Sequence, residues 1–315
     1  MIQTKTTMGQ KQGVDSRGKG KGVSGSSVGP KHGVDSNGKG KEVSGSSIVT
    51  GPSPFDDLPE DCVSKIISFT SPRDACVSSC VSKTFESAVR SDGVWDKFLP
   101  PDYTSLAPPS LVLSSKKELY FALCNHSLIE DGKKSFWLEK ASGKKCVMLA
   151  PRELWITWGK SPQYWQWISM PESRFEEVPE LLNVCAFEMG GNMNTQVLSP
   201  DTHYTAYVVY KIRNRRHGLR DLPIQVGVGF KGQEMPRKFI CFDETTDEYK
   251  PWPKKELMKS VMREEDGWIE AEIGDFFNEG GLMGFDEIEV SIVDITSGNW
   301  KCGVIIQGIE FRPRR

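Results

Sequence analysis

The sequence predicts an α+β multidomain chain: a disordered N-terminal tail, a small three-helix module, and an antiparallel β-sandwich. Three observations carry this. Residues 1–51 are dominated by Gly, Ser and Lys and repeat themselves. From Leu58 to Leu99 apolar residues recur at helical spacing. Beyond Phe136 short apolar runs are separated by Gly, Pro, Asn and Asp.

The tail opens with two copies of one segment, "KQGVDSRGKGKGVSGSS" from Lys11 and "KHGVDSNGKGKEVSGSS" from Lys31. Nearly devoid of apolar residues, two such copies have nothing to bury and read as a flexible linker rather than a solenoid. Each copy holds G-x-x-x-x-G-K, at Gly13–Lys19 and Gly33–Lys39. The next residue is Gly20 or Gly40, where a phosphate-binding loop needs Ser or Thr, and no strand precedes it. Nucleotide binding is therefore not expected.

Charge and cysteine usage exclude further classes. The net charge is -2, and the first 50 residues hold eight Lys/Arg against three Asp/Glu, so the remainder is mildly acidic. That balance does not suit a nucleic-acid binder. No apolar run is long enough to cross a membrane as a helix, and "MIQTKTTMGQKQ" has no secretory apolar region. Eight cysteines in such a chain read as reduced thiols. With four His and no C-x-x-C pair, no zinc site, metal or other cofactor is expected. These features point to the nucleus and cytoplasm.

The helical module occupies residues 52–99. Pro59 suits a first helical turn, and Glu60 and Asp61 suit the positive end of the helix dipole. Cys62, Val63, Ile66 and Ile67 draw one apolar stripe. Ser71-Pro72-Arg73-Asp74 forms a capping box, followed by a second stripe of Ala75, Cys76, Val77, Cys80 and Val81. Ser82 leads a third helix over Lys83–Arg90, and Trp95, Phe98 and Leu99 close the module. So short a module has a thin core and often completes itself on a partner. Residues 100–135 read as a linker with one further helix, capped by Ser115 and Glu118.

Residues 136–315 supply roughly nine strand-like runs, which argue a sandwich. Ile224, Val226, Val228 and Phe230 alternate inward, while Tyr204–Ile212 is apolar on both faces and suits a central strand. "GDFFN" at Gly274–Asn278 reads as a single helical turn. No G-x-S-x-G occurs, and the four His do not cluster with a Ser or Cys nucleophile into a catalytic constellation, so a non-catalytic role is expected.

Two resemblances follow from these residues. Phe55 to about Leu99 resembles the F-box, through Leu58-Pro59, Ile66-Ile67, the cysteine-rich second helix, "VSKTF" and "DGVWDKFLP". This implies docking on the Skp-type adaptor, and through it the cullin, of an SCF ubiquitin ligase, with Leu58, Pro59, Ile66 and Ile67 entering the adaptor's groove. Phe136 to Pro313 resembles the plant phloem protein 2 (Nictaba-like) lectins, a lectin-like jelly roll. The match rests on "SGKKCVMLAPRELWITWGKSPQYWQW", "VCAFEMGGNMNT", "YTAYVVYKI", "DGWIEAEIGDFFN" and "GNWKCGVIIQGIEFRP".

The second resemblance implies binding of N-acetylglucosamine oligomers or N-glycans. The carried-over site residues are Trp158, Trp165, Glu287 and Asp294; the family's second acid is normally Glu. Joined to the F-box, the β body is expected to select a protein or glycoprotein substrate. The alternative is a carbohydrate-binding or protein-interaction body whose F-box takes no part in ubiquitination. Strand parity raises one conflict. Asp294 shares parity with Ile288, Val290 and Ile292, so an unbroken strand aims it at the core. Either the strand bends or ends before Asp294, or the two acids do not share a site.

Overall fold

The computed structural model describes residues 57–107, 113–243, 258, 260–263, 266–280 and 287–314. Both copies of the tail repeat and their near-miss phosphate loops lie outside these residues. The described residues belong to one compact unit.

The helical part comprises α1 (Glu60–Ile67), α2 (Pro72–Ser78), α3 (Lys83–Arg90) and α4 (Asp92–Phe98). The expected three helices are thus four: "DGVWDKF" closes the module as a helix of its own, with Val94 and Trp95 buried. The caps are as expected. Ser71 Oγ accepts from Asp74 N and donates to the Asp74 carboxylate, and Ser82 Oγ accepts from Phe85 N. A short α5 (Tyr103–Leu106) precedes α6 (Lys116–Leu123). Ser115 caps α6 by accepting from Glu118 N, while the Glu118 carboxylate reaches back to Ser114 N and Oγ.

The β body contains β1 (Ser127–Ile129), β2 (Lys134–Leu138), β3 (Lys145–Leu149), β4 (Trp155–Ile156), β5 (Trp165–Ile168), β6 (Val178–Leu181) and β7 (Phe187–Asn194). There follow β8 (Thr202–His217), β9 (Ile224–Phe230), β10 (Lys238–Ile240), β11 (Ser260–Met262), β12 (Ile269–Asn278), β13 (Glu287–Asp294) and β14 (Cys302–Pro313). Strand structure begins at Ser127, inside the expected linker. β1, β2, β6, β10 and β11 add to the roughly nine strands expected from the sequence.

Two antiparallel sheets pack face to face, as a sandwich requires. The larger runs β1-β2-β3-β14-β8-β12-β11, with β6 on β14 and β5 on β6; the smaller runs β10-β9-β13-β7-β4. β8 lies between β14 and β12, the central position its two apolar faces suggested. "GDFFN" is the end of β12, paired to Thr202–Ala206 of β8, and not a helical turn. Its side chains alternate, Phe276 buried and Phe277 exposed, so a partner strand decides what five residues alone left open. The larger sheet is buried on its outer face too, by a second cluster including Trp137, Met148, Phe175 and Trp268. There the segment before β6 straps the sheet: Glu172 O accepts from Trp268 Nε1, and Arg174 pairs with buried Glu310.

The helical part and the β body share one core cluster. Trp95 is fully buried, donates Nε1–H to Val89 O at 2.6 Å, and packs on Tyr120 and Phe121 of α6 at 5.3 and 5.4 Å. The Tyr120 hydroxyl donates to Lys140 O, beyond β2. Arg73 N bonds Ala141 O, and Lys145 of β3 pairs with Asp102 at 2.8 Å. Gly143 adopts φ +73°, and a Cβ there would lie 3.1 Å from Phe98 O. The β2–β3 hairpin is therefore seated closely against the helices, and a side chain at Gly143 would strain its backbone and crowd Phe98 O.

Candidate adaptor- and substrate-binding surfaces

On α1 the single stripe drawn from sequence divides in two. Val63 and Ile67 point into the core, Ile67 being 2% exposed, whereas Cys62 and Ile66 face outward, Ile66 at 47%. Adjacent residues are about 100° apart on a helix, so a pair such as Ile66-Ile67 straddles the boundary of a short amphipathic helix. Pro59 is exposed and Leu58 is half-buried against the core. Ile67 therefore cannot enter a partner's groove in this fold; it holds α1 in place. Three apolar residues absent from the expected set are exposed instead: Phe69 at 78%, Val77 and Val81. Val77 and Val81 belong to the second stripe expected from sequence. Only Ala75 of that stripe is fully buried, and Cys76 is half-buried.

In the β body the two tryptophans part company as well. Trp158 is 43% exposed, sits in the left-handed backbone region at φ 59°, and packs on Tyr164 at 5.1 Å. A bulky residue held at positive φ costs free energy and must be held by its surroundings. Trp165 is 2% exposed, donates Nε1–H to Thr157 O, and packs on Phe187. Trp165 is thus a core residue that fixes the turn presenting Trp158, not a second stacking platform. Trp155, also exposed, is a further aromatic on the same stretch.

The acids do not converge. β13 runs unbroken from Glu287 to Asp294, about 23 Å at ordinary strand rise. Parity operates as expected, with Ile288, Val290, Ile292 and Asp294 buried and Glu287 only partly so. Asp294 is fully engaged: Lys301 Nζ lies 2.7 Å away, and Ser297 donates both N–H and Oγ–H. Burial would raise its pKa, but the hydrogen bonds from Lys301 and Ser297 outweigh this and hold it below the usual aspartate value. Lys301 is itself fully buried and also donates to Cys185 O and Asn299 O. Asp294 therefore clamps the β13–β14 connection. Glu287, at the other end, pairs with Lys231 at 2.7 Å, and that hydrogen bond lowers its pKa.

With this geometry in view, residues 144–313 match the phloem protein 2 family and residues 55–97 the F-box domain. The Arabidopsis thaliana protein PP2-B6 is 69% identical over 98% of this chain and 99% of its own length. F-box protein PP2-B5 of Arabidopsis thaliana is 52% identical over 98% of this chain and 99% of its own. F-box protein SKIP3, from the same plant, is 51% identical over 84% and 90%.

The chain belongs to the plant F-box proteins that carry a phloem protein 2 domain.

In this F-box the outward apolar residues are therefore Pro59, Ile66, Phe69, Val77 and Val81, with Leu58 half-buried and Ile67 internal. Nothing in residue type separates Ile66 from Ile67; Phe69, three residues beyond Ile66, was readable as a continuation of its side of α1. In the phloem protein 2 domain, the four residues carried over by resemblance do not form one constellation. Trp158 is available at the surface, Trp165 and Asp294 serve the interior, and Glu287 stands at the far end of β13.

Proposed function

We propose that this protein is the substrate-receptor subunit of an SCF-type cullin-RING ubiquitin ligase. Its F-box docks on a Skp-type adaptor, and its phloem protein 2 domain engages a protein or glycoprotein substrate. The observation that carries this is the exposed apolar set Ile66, Phe69, Val77 and Val81 on and beside the first two F-box helices. Apolar side chains left at the surface of a small helical module mark an interaction site. Such anchors typically contribute on the order of 2 kcal/mol each when buried by a partner.

The test follows from the split of α1. Ile66→Asp combined with Phe69→Ala is expected to abolish co-purification of Skp-type adaptors while leaving the melting temperature unchanged. Ile67→Asp is expected to lower the melting temperature, because it places a carboxylate in the core. Retained adaptor binding by the double variant would overturn the docking surface. A wild-type chain that captures no Skp-type adaptor would overturn the function.

A second reading, binding of N-acetylglucosamine-containing glycans, is supported by Trp158 alone: an exposed indole held at positive φ and backed by Tyr164. Aromatic faces stack on the apolar faces of sugar rings. Trp158→Ala is expected to remove N-acetylglucosamine-oligomer signal from a glycan array without a stability loss. Trp165→Ala is expected to destabilise the fold by about 3–5 kcal/mol. No array signal from the wild type would leave the domain a protein-binding one.

A further inference from the structure

The outer face of the smaller sheet carries a shaped trough, and strand register defines it. Residues opposite one another across antiparallel strands point to the same side. Four outward rows result: Glu188–Val293–Gln225, Gly190–Ser291–Gly227, Asn192–Glu289–Gly229 and Asn194–Glu287. At Gly190 on β7 and at Gly227 and Gly229 on β9 the flanking strands lack an outward side chain, and other residues stand in those places. The Trp155 indole lies over Gly190, where a Cβ would come within 2.4 Å of its ring. On the other side Met235 covers Gly229, where a Cβ would lie 2.9 Å from Met235 Cγ, and Gly227 at 3.4 Å from its Cβ.

Trp155 and Met235 therefore stand above β7 and β9, two strand spacings or about 10 Å apart. Between them β13 exposes Ser291 and Glu289 as the floor. The width suits one extended chain or one side chain inserted edge-on.

The electrostatics select the occupant. Glu289 is half-buried and has neither hydrogen-bond nor ion-pair partner among the described residues. Lys231 forms its ion pair with Glu287 and is only attracted by Glu289 at longer range, so Glu289 has no cation of its own in contact among the described residues. Glu188, at the end of the face, bonds Thr157 rather than a cation. A neutral occupant that displaced water would leave the Glu289 charge unpaired in a narrower, drier space, which is unfavourable. A cation between an indole and a carboxylate is favoured by both groups.

We propose that this trough binds an arginine or lysine side chain of an extended polypeptide, with Glu289 as the ion-pair partner and Trp155 and Met235 as the walls along its methylenes. This rests on the reading of the domain as a substrate receptor and assigns its substrate a basic motif.

The test is selection from a random heptapeptide library displayed on phage, with the full-length chain immobilised. Selected peptides are expected to share an Arg or Lys. The affinity of the best of them, made synthetically, is expected to fall about tenfold or more in Glu289→Gln, which keeps the shape and removes the charge. Ser291→Trp, which fills the floor from an outward position, is expected to abolish binding. Melting temperatures of both variants report whether the fold is kept.

Peptides lacking basic residues, no enrichment at all, or equal affinity in a folded Glu289→Gln variant would overturn the proposal. A glycan-array signal lost in Glu289→Gln, without peptide binding, would reassign the trough to a neutral sugar and overturn the basic-motif assignment. Adaptor capture measured on the same preparations separates the two readings. Loss of peptide binding with adaptor capture intact sinks only the trough, whereas a chain that binds peptide but no adaptor sinks the ligase reading.

Discussion

Trp95→Ala is expected to destabilise the helical part and the β body together, by about 3–5 kcal/mol, the usual cost of deleting a buried large aromatic. Trp95 is fully buried and touches Phe98, Tyr120 and Phe121, and Tyr120 in turn bonds the β2–β3 hairpin. Because one core cluster runs through both parts, wild type and variant should each unfold in a single transition. The variant's midpoint should be lower by roughly 10 °C. Circular dichroism for the helices and near-ultraviolet signals for the β aromatics should give coincident curves. Two separate transitions, with only the helical one moved, would show the F-box to be an independently folded appendage. On the proposed function, one cooperative unit would hold the substrate-binding surface at a set orientation to the adaptor-binding helices.

Lys301→Ala should cost about as much, roughly 3–5 kcal/mol, because it strands the Asp294 carboxylate in the interior. The neutral pair Asp294→Asn with Lys301→Met should regain much of that loss, since the desolvation cost of both charges disappears with them. The pair also predicts a pH dependence. The folded state holds Asp294 below its ordinary value of about 3.9, so its contribution is complete above that pH. It declines as pH falls through the lowered folded-state value. Wild type should therefore lose stability to acid more steeply than the neutral pair, as read from urea unfolding at a series of pH values. Equal slopes would show that the buried pair contributes nothing linked to protonation.

Much of this arrangement was legible in the residues. The capping boxes at Ser71 and Ser115 work locally, through hydrogen bonds spanning three residues, so they read directly from spacing. The parity of Asp294 with Ile288, Val290 and Ile292 anticipated its burial, because side chains alternate along any unbroken strand. It did not reveal Lys301 as the partner. That residue lies across a connection whose path depends on where β14 joins the larger sheet, and the Val184–Lys301 bridge seats it there.

Composition and periodicity alone determined that this chain has a Gly/Ser/Lys-rich leader, a thin helical module and an antiparallel sandwich. The ordered motifs carried the F-box and phloem protein 2 resemblances. These are properties of residue type and short-range spacing, and they survive whatever the rest of the chain does. Tertiary structure alone decided which of two like residues faces out. It set Ile66 outward and Ile67 inward, and Trp158 outward and Trp165 inward, because each choice depends on which side of an element meets the shared core. It also made the trough. Gly190, Ser291, Glu289 and Gly229 come from three strands far apart in the sequence, and only their pairing register brings them onto one face between Trp155 and Met235.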